Sequence, residues 1–364
     1  MRHNLPPFLI SSAQPMLLFA LVSALPLVLL GLGIVFGGVW AMLPLVYMAI
    51  LTGVLDQIIP FVVPDAPEGA EFPGSDALLV GLGLGHLLML PMVVWAVAGP
   101  SGLGGWERAG LFVGAGLWFG QVSNPCAHEL IHRGNRWMYR LGVVVYASVL
   151  FGHHASAHRL VHHVHAASPA DPNTARAGEG FYRFALRAWG GSFRAGLGAE
   201  NARRLGRRTR DVHPYAVYLG LSLAGLIAAA LIAGIWGVAV WAALALQTQS
   251  QLLLADYVQH YGLMRRPLPD GRLEQVSDRH SWNAPHWFSS ALMLNAPRHS
   301  DHHAHPNRPY PALRLPRADA APRLPYALPL CCTLALSPRL WRRVMAPRLA
   351  DWRRGTENRL VSTD

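Results

Sequence analysis

Histidine clusters at helical spacing are the feature of this sequence with the clearest chemical potential. The chain has 18 His. In the run HELIH, His128 and His132 stand four residues apart and therefore share one face of a helix. Two neutral imidazoles so placed can bind one metal ion. Nine His in four such clusters are candidate metal ligands: His128, His132, His158, His162, His163, His260, His299, His302 and His303.

The spacing within the other clusters predicts how the ligands are shared. In HRLVHH, a helix puts His158 and His162 on one face and turns His163 by about 100° toward a neighbouring metal. His299, His302 and His303 have i, i+3, i+4 spacing. One zinc ion usually takes four ligands, so nine converging imidazoles predict two metal ions. Imidazole suits iron, zinc and copper alike, so the ligand count alone does not choose the metal.

Carboxylates near the clusters are candidates to orient the imidazoles. Glu129 lies inside the first cluster, and Asp256 precedes His260 by one helical turn. We predict that each accepts an imidazole N–H and so fixes the tautomer. Asp56 has two open interpretations, the same role or a cap at the membrane interface. His86, alone in the middle of an apolar run, is interpreted as hydrogen-bonded packing.

The elements that must position these side chains are predicted to be membrane helices. Hydrophobic residues make up 52% of the chain and charged residues 14%, against about 25% charged in soluble domains. This excludes a disordered chain and a soluble nucleic-acid binder. We predict an all-α integral membrane protein with one domain, 1–364, and a cytoplasmic, mostly helical, His-rich cap formed by 133–214 and 261–364. The six predicted transmembrane helices cover about 16–36, 39–63, 77–98, 109–132, 215–236 and 238–260.

The basic residues indicate the orientation. All 31 are Arg, and only Arg2 and Arg108 precede Arg133. The positive-inside rule therefore places both termini and the His clusters in the cytoplasm. We interpret the Arg surplus as orientation and contact with anionic membrane lipids. A docking face for an acidic electron carrier is the alternative, and its densest group is Arg203, Arg204, Arg207, Arg208 and Arg210.

Four motifs carry a family resemblance: HELIHR (128–133), HRLVHH (158–163), QHYGLMR (259–265) and RHSDHHAHPNRPY (298–310). From about residue 20 to 313 the chain resembles the membrane-bound alkane 1-monooxygenases, which are related to fatty acid desaturases and xylene monooxygenase. The resemblance implies that the nine His hold two non-haem iron ions. It also implies a bacterial plasma-membrane enzyme that hydroxylates medium-chain n-alkanes to 1-alkanols with O2.

The resemblance also implies redox partners. The three Cys of the chain are too few for a rubredoxin-type site, which takes four. A separate rubredoxin, reduced by an NADH-dependent rubredoxin reductase, is therefore implied. The chain departs from the common family pattern at Ala157, Val161, Gln259 and Arg133. All nine ligand positions are kept, so the departures bear on the substrate and on the tuning of the ligands.

Three rival functions stay open from the sequence. A desaturase, or another membrane di-iron hydroxylase acting on an acyl lipid, an aromatic methyl group or a terpenoid, would use the same metals. HExxH alone also fits a zinc protease with Glu129 as general base, but then His158, His299 and His303 would be dispensable. A metal transporter would place its ligands near mid-membrane, where only His86 lies.

Overall fold

The computed structural model describes residues 14–59, 61–207 and 211–361. Within these residues the regular structure is helical, with no strand beyond two isolated bridges, so the all-α prediction is confirmed. Four helices are long and apolar enough to cross a membrane: Met16–Phe36, Gly38–Ile58, Ser75–Ala98 and Pro214–Gln259. Apolar runs form helices in lipid because a helix satisfies its own backbone N–H and C=O groups.

The first two helices form an antiparallel hairpin. Helix α1 covers Gln14–Phe36 and α2 covers Gly38–Ile58. Gly37 and Gly38 have φ of 59° and 54°, a left-handed conformation that glycine adopts without a steric penalty. The second span is predicted over 39–63, whereas the apolar helix in the structure is shorter. The helix stops at Ile58, because Pro60 disfavours the helical conformation of the residue before it, and Ile59 has a ψ of 89°.

Helices α3 to α5 form the wall beside the metal ligands. Helix α3 covers Ser75–Ala98. Helix α4 runs over 105–132 as Gly105–Trp118, a widened turn at Phe119–Ser123, and Asn124–His132. Helix α5, Arg136–Ser148, packs on both of them. The first His pair therefore stands at the very end of α4.

Two helices of the predicted cap follow. Helix α6 covers 154–165 and carries the second His cluster. Helix α7, Phe181–Arg207, packs on α6. Arg203, Arg204 and Arg207 lie in the last turns of α7, whereas Arg208 and Arg210 fall outside the described residues.

Helix α8, Pro214–Gln259, is two helices that fold back on each other. The backbone leaves the helical conformation at Ala233 and at Gly234, where φ is 57°. A Cβ placed on Gly225 would lie 3.0 Å from the Trp241 ring. These positions would be about 24 Å apart along a straight helix. The chain therefore reverses at 233–234, as the separate predictions of 215–236 and 238–260 require.

The remaining helices are short, apart from the last. They are α9 (Trp287–Leu292), α10 (His299–Ala304), α11 (Leu328–Ala335) and α12 (Pro338–Val361). The segments 261–286 and 305–327 are mostly irregular and wrap α10. Since α10 carries the fourth His cluster, this irregular chain holds the last ligands against α4, α6 and the end of α8.

Candidate metal centre

Five of the nine predicted ligands form one group. They are His128 and His132 from α4, His158 and His163 from α6, and His302 from α10. The Nε2 atoms of His128 and His158 are 2.8 Å apart, and those of His158 and His163 are 2.9 Å apart. The Nε2 atom of His163 lies 3.1 Å from that of His302. Three elements distant in sequence thus direct their ring nitrogens at one point.

The other four form a second group beside the first. They are His162 from α6, His260 at the end of α8, and His299 and His303 from α10. The Nε2 atoms of His260 and His299 are 2.9 Å apart, and those of His303 and His299 are 3.1 Å apart. The ring centres of His163 and His303, one from each group, are 4.9 Å apart. The structure therefore brings all nine predicted ligands into two adjacent groups.

The pairing within the second cluster differs from the prediction. His158 and His162 were expected to share a metal, but His158 shares its group with His163. The reason is a widened turn at His158–His162, where the N–H of His163 donates to the carbonyl of His158, five residues back. In such a π-helical turn, residues five apart share a face. His162 is thereby turned to the second group.

The spacing of the nitrogens fits bound metal ions. Each group has ligand atoms that all lie within 4.8 Å of one another. Nitrogens bonded to one metal at about 2.0–2.1 Å are about 2.8–3.0 Å apart in octahedral geometry and about 3.3–3.4 Å apart in tetrahedral geometry, close to the separations here. Two facing Nε2 atoms can share at most one proton, so the five-member group cannot pair all its nitrogens by hydrogen bonds. A cation at the point where the nitrogens of the five-His group converge resolves this conflict.

Three imidazoles of the cap are held in the neutral state that metal binding needs. Burial lowers the pKa of His158, His299 and His303 well below the ordinary value, because desolvation disfavours the charged ring. Neighbouring imidazoles lower the pKa of these three rings further. A neutral His keeps the ring-nitrogen lone pair that binds the metal. At these three positions burial therefore favours the neutral ring, whereas at His162 the Asp171 carboxylate outweighs burial and raises the pKa of the ring.

The carboxylates occupy other positions than the sequence suggests. Glu129 accepts the backbone N–H of Tyr310 at 3.2 Å. Asp256 accepts the side-chain amide of Asn173 at 2.6 Å. Neither has a hydrogen bond to a ligand ring among the described residues. Asp171, which sequence reasoning missed, accepts the Nδ1–H of His162 at 2.9 Å. Only its position in a polar turn shortly after the cluster could have indicated it.

The two isolated polar residues of the spans have structural partners. Asp56 accepts the N–H groups of Phe288 and Ser289 at 2.8 and 3.1 Å, and so caps the start of α9. This joins the end of α2 to the chain that leads into the fourth His cluster. His86 lies between the hydroxyls of Ser123 and Ser148, at 2.5 and 2.8 Å. Neither residue reaches a metal group.

An apolar cavity of about 210 Å³ leads away from the five-His group. Four candidate ligands from the two groups line it: His128, His158, His299 and His302. Its walls are α4, the second half of α8, and α11 with the residues beside it. Most of the remaining lining residues are apolar, among them Leu117, Leu252, Leu254, Leu328 and Leu336. The cavity can therefore bring a hydrocarbon group to the imidazole rings.

Comparisons with known proteins agree with this geometry. Residues 104–334, which include all nine His, match the family model described as fatty acid desaturase. The alkane 1-monooxygenase of Ectopseudomonas oleovorans is 34% identical over 286 residues, 77% of this chain and 69% of that protein. Alkane 1-monooxygenase 1 of Alcanivorax borkumensis is 35% identical over 76% of this chain and 68% of its own length. Alkane 1-monooxygenase 2 of Pseudomonas aeruginosa is 30% identical over 91% of this chain and 90% of its own length.

Proposed function

This chain belongs to the fatty acid desaturase family, as a relative of its alkane 1-monooxygenases, and we propose that it hydroxylates medium-chain n-alkanes to 1-alkanols with O2. It is an oxidoreductase of the monooxygenase class. The observation that carries the alkane proposal is the apolar cavity that ends on two adjacent groups of imidazole nitrogens.

The proposed cofactor is a pair of non-haem iron ions. The five-His group would hold one ion and the four-His group the other. When bound, the irons supply the O2-dependent oxidation of an unactivated C–H bond, which no side chain can perform. The reaction consumes two electrons and two protons, inserts one oxygen atom into the C–H bond and releases the other as water. All nine proposed ligands are imidazoles, so no coordinating carboxylate would offset the positive charge of the iron ions.

The chain's own contribution is to position the substrate. The cavity would align a chain so that its terminal methyl meets the end lined by His128 and His302. Positioning of this kind lowers the entropic part of the barrier. Polar groups along the cavity are mostly engaged within the protein. Asn124, for example, donates to the carbonyl of Thr248 at 3.0 Å. Few polar groups of the cavity are therefore free to hydrogen-bond a substrate that carries oxygen.

The proposed electron donor is a separate, acidic rubredoxin, reduced by an NADH-dependent reductase. One surface beside the five-His group suits such a partner. Val164, which follows the ligand His163, is 54% exposed, and Met264 is 38% exposed. The Arg265 guanidinium donates to the carbonyl of Val164, and Arg159 is exposed nearby. A small apolar spot ringed by Arg favours an acidic partner, and like charge repels basic proteins.

The proposed topology follows from the charges and the helix hairpins. The His groups, with the Arg-rich segments around them, would face the cytoplasm, together with both termini. Six crossings would result if α4 spans the membrane and α8 crosses twice, reversing at Gly234. The single-domain organisation, 1–364, would then consist of these spans and the cap. Reaction with a membrane-impermeant maleimide at engineered Cys residues on either side tests this arrangement.

Metal analysis combined with turnover tests the proposed activity. The purified protein, given rubredoxin, rubredoxin reductase and NADH, is expected to bind two irons per chain and to convert octane to 1-octanol. His303→Ala should lower both iron content and turnover, whereas His165→Ala, in the same cap but outside both groups, should change neither. A single zinc ion and no iron would overturn the proposal.

A second candidate function is the hydroxylation or desaturation of a chain that carries a polar group. The specific observation is Gln121, which lines the cavity. Its buried Oε1 atom has no hydrogen-bond partner among the described residues. Gln121 lies two helical turns before His128, about 10 Å along α4. Two bound irons with product from an acyl lipid or a terpenoid alcohol, and none from octane, would favour this function.

A further inference from the structure

The two His groups differ in how their rings are supported. Among the described residues, only His162 of the nine has a carboxylate at Nδ1, the oxygen of Asp171 at 2.9 Å. The Nδ1 atoms of His158 and His302, in the five-His group, have no partner. In the four-His group that of His303 also has none. Among the described residues, a carboxylate therefore supports only one ligand, His162 of the four-His group.

Asp171 is itself held rigidly. Its Oδ2 atom accepts the hydroxyl of Thr174 at 2.7 Å, and its Oδ1 atom accepts the backbone N–H of Asn173 at 3.0 Å. Arg187 donates to the carbonyls of Pro172 and Thr174 at 2.8 and 3.0 Å. The side chains of Asp171 and His162 are 1% and 3% exposed. The carboxylate can neither swing away from the ring nor be replaced readily by water.

The same turn connects His162 to a second ligand of the four-His group. Asn173 donates to the carboxylate of Asp256 at 2.6 Å. The backbone carbonyl of Asp256 in turn accepts the N–H of His260 at 3.0 Å, where α8 ends. Asp171, Asn173 and Asp256 thus form a continuous link between ligands from α6 and α8. No corresponding link to a carboxylate reaches the described ligands of the five-His group.

From this geometry we propose that Asp171 is a positioning residue that secures the metal of the four-His group selectively. A carboxylate that accepts Nδ1–H directs the Nε2 lone pair at the metal and increases its basicity. Losing such a partner typically lowers metal affinity about 10- to 100-fold. The inference rests on the proposed di-iron function, since it assigns Asp171 to one of two metals.

Replacement of Asp171 in the full-length protein tests the proposal. Asp171→Asn keeps the shape and an acceptor oxygen but removes the charge, whereas Asp171→Ala removes both. Asp351→Asn, at an exposed site distant in sequence, is the matched control. Each variant is loaded with ⁵⁷Fe, titrated with a chelator and examined by Mössbauer spectroscopy. A thermal transition and a monodisperse elution profile report folding independently of metal binding.

One iron is expected to be lost at a chelator concentration about 10- to 100-fold lower in Asp171→Ala, with a smaller shift in Asp171→Asn. The second iron and the control should match the unsubstituted protein. Unchanged titration of both irons, or equal weakening of both, would overturn the role of Asp171. If Asp171→Ala does not fold, Thr174→Val, which removes one bond to the carboxylate, must still weaken one iron only. Fewer than two irons in the unsubstituted protein would instead contradict the proposed function.

Discussion

The division of the second His cluster between two metals can be tested with double substitutions. His158 and His163 belong to one group, whereas His162 belongs to the other. His158→Ala with His163→Ala therefore removes two ligands from the five-His group and leaves the four-His group intact. His158→Ala with His162→Ala removes one ligand from each. An ordinary helical turn would reverse these two outcomes, because it would pair His158 with His162.

The expected magnitudes follow from the ligand counts. A four-ligand zinc site binds with about 10–16 kcal/mol, or roughly 2.5–4 kcal/mol per ligand if shared evenly. Each lost imidazole should then weaken its metal about 10²- to 10³-fold. The double variant at His158 and His163 should weaken one metal about 10⁴- to 10⁶-fold and spare the other. The variant at His158 and His162 should weaken both metals about 10²- to 10³-fold.

Chelator titration of the iron-loaded proteins measures these affinities. The first double variant should release one iron early and the other at the concentration found for the unsubstituted protein. The second should release both irons at intermediate concentrations. His165→Ala, on the same helix but outside both groups, serves as the control and should titrate normally. The opposite assignment of the two patterns would refute the widened turn at His158–His162 as the basis of ligand sharing.

Further predictions concern stability, substrate length and reduction. Asp56→Ala leaves two buried N–H groups of α9 without an acceptor, which should lower the free energy of unfolding by about 2–6 kcal/mol, measured by denaturation in detergent. Gly120→Val puts side-chain atoms within 2.2 Å of the Gln251 amide, which also lines the cavity. Turnover should shift to shorter alkanes at constant iron content. Each methylene that no longer fits should cost about 1–3 kcal/mol of transition-state binding. Gly198→Val, at a site with free space around it, should leave product lengths unchanged. Arg159→Glu should slow reduction by an acidic carrier about 3- to 10-fold at low ionic strength, with the difference vanishing at high salt; an equal rate at both salt concentrations would contradict the docking surface.

The long apolar helices could be located from the sequence because hydropathy is a local property. The span predicted over 16–36 agrees with Met16–Phe36, and the span predicted over 77–98 lies within Ser75–Ala98. The errors occur at helix ends, where hydropathy is a poor guide. The apolar residues 61–63 continue the run of α2, but the proline at 60 ends the helix first. The turn at Gly234 also lies a few residues earlier than the apolar pattern suggests.

The roles of the acidic residues could not be predicted, because they depend on contacts between distant segments. Asp56 finds its partners at Phe288 and Ser289, more than 200 positions along the chain. Asp256 was expected to support His260 through its side chain, yet its carboxylate is taken by Asn173. Proximity in sequence favoured Glu129 and Asp256. Only the folded chain brings Asp171 to a ligand ring.

The sequence by itself determined the nine candidate ligands, the apolar helices and the family, since each follows from residue identity and short-range spacing. The tertiary structure decided how nine His divide into groups of five and four. That division depends on one widened turn in α6, which moves His162 and His163 to opposite groups. A widened turn has no reliable local signature, because packing around it must offset the weaker helical geometry. Residue spacing therefore predicted two metals, whereas the fold determined which imidazole serves each.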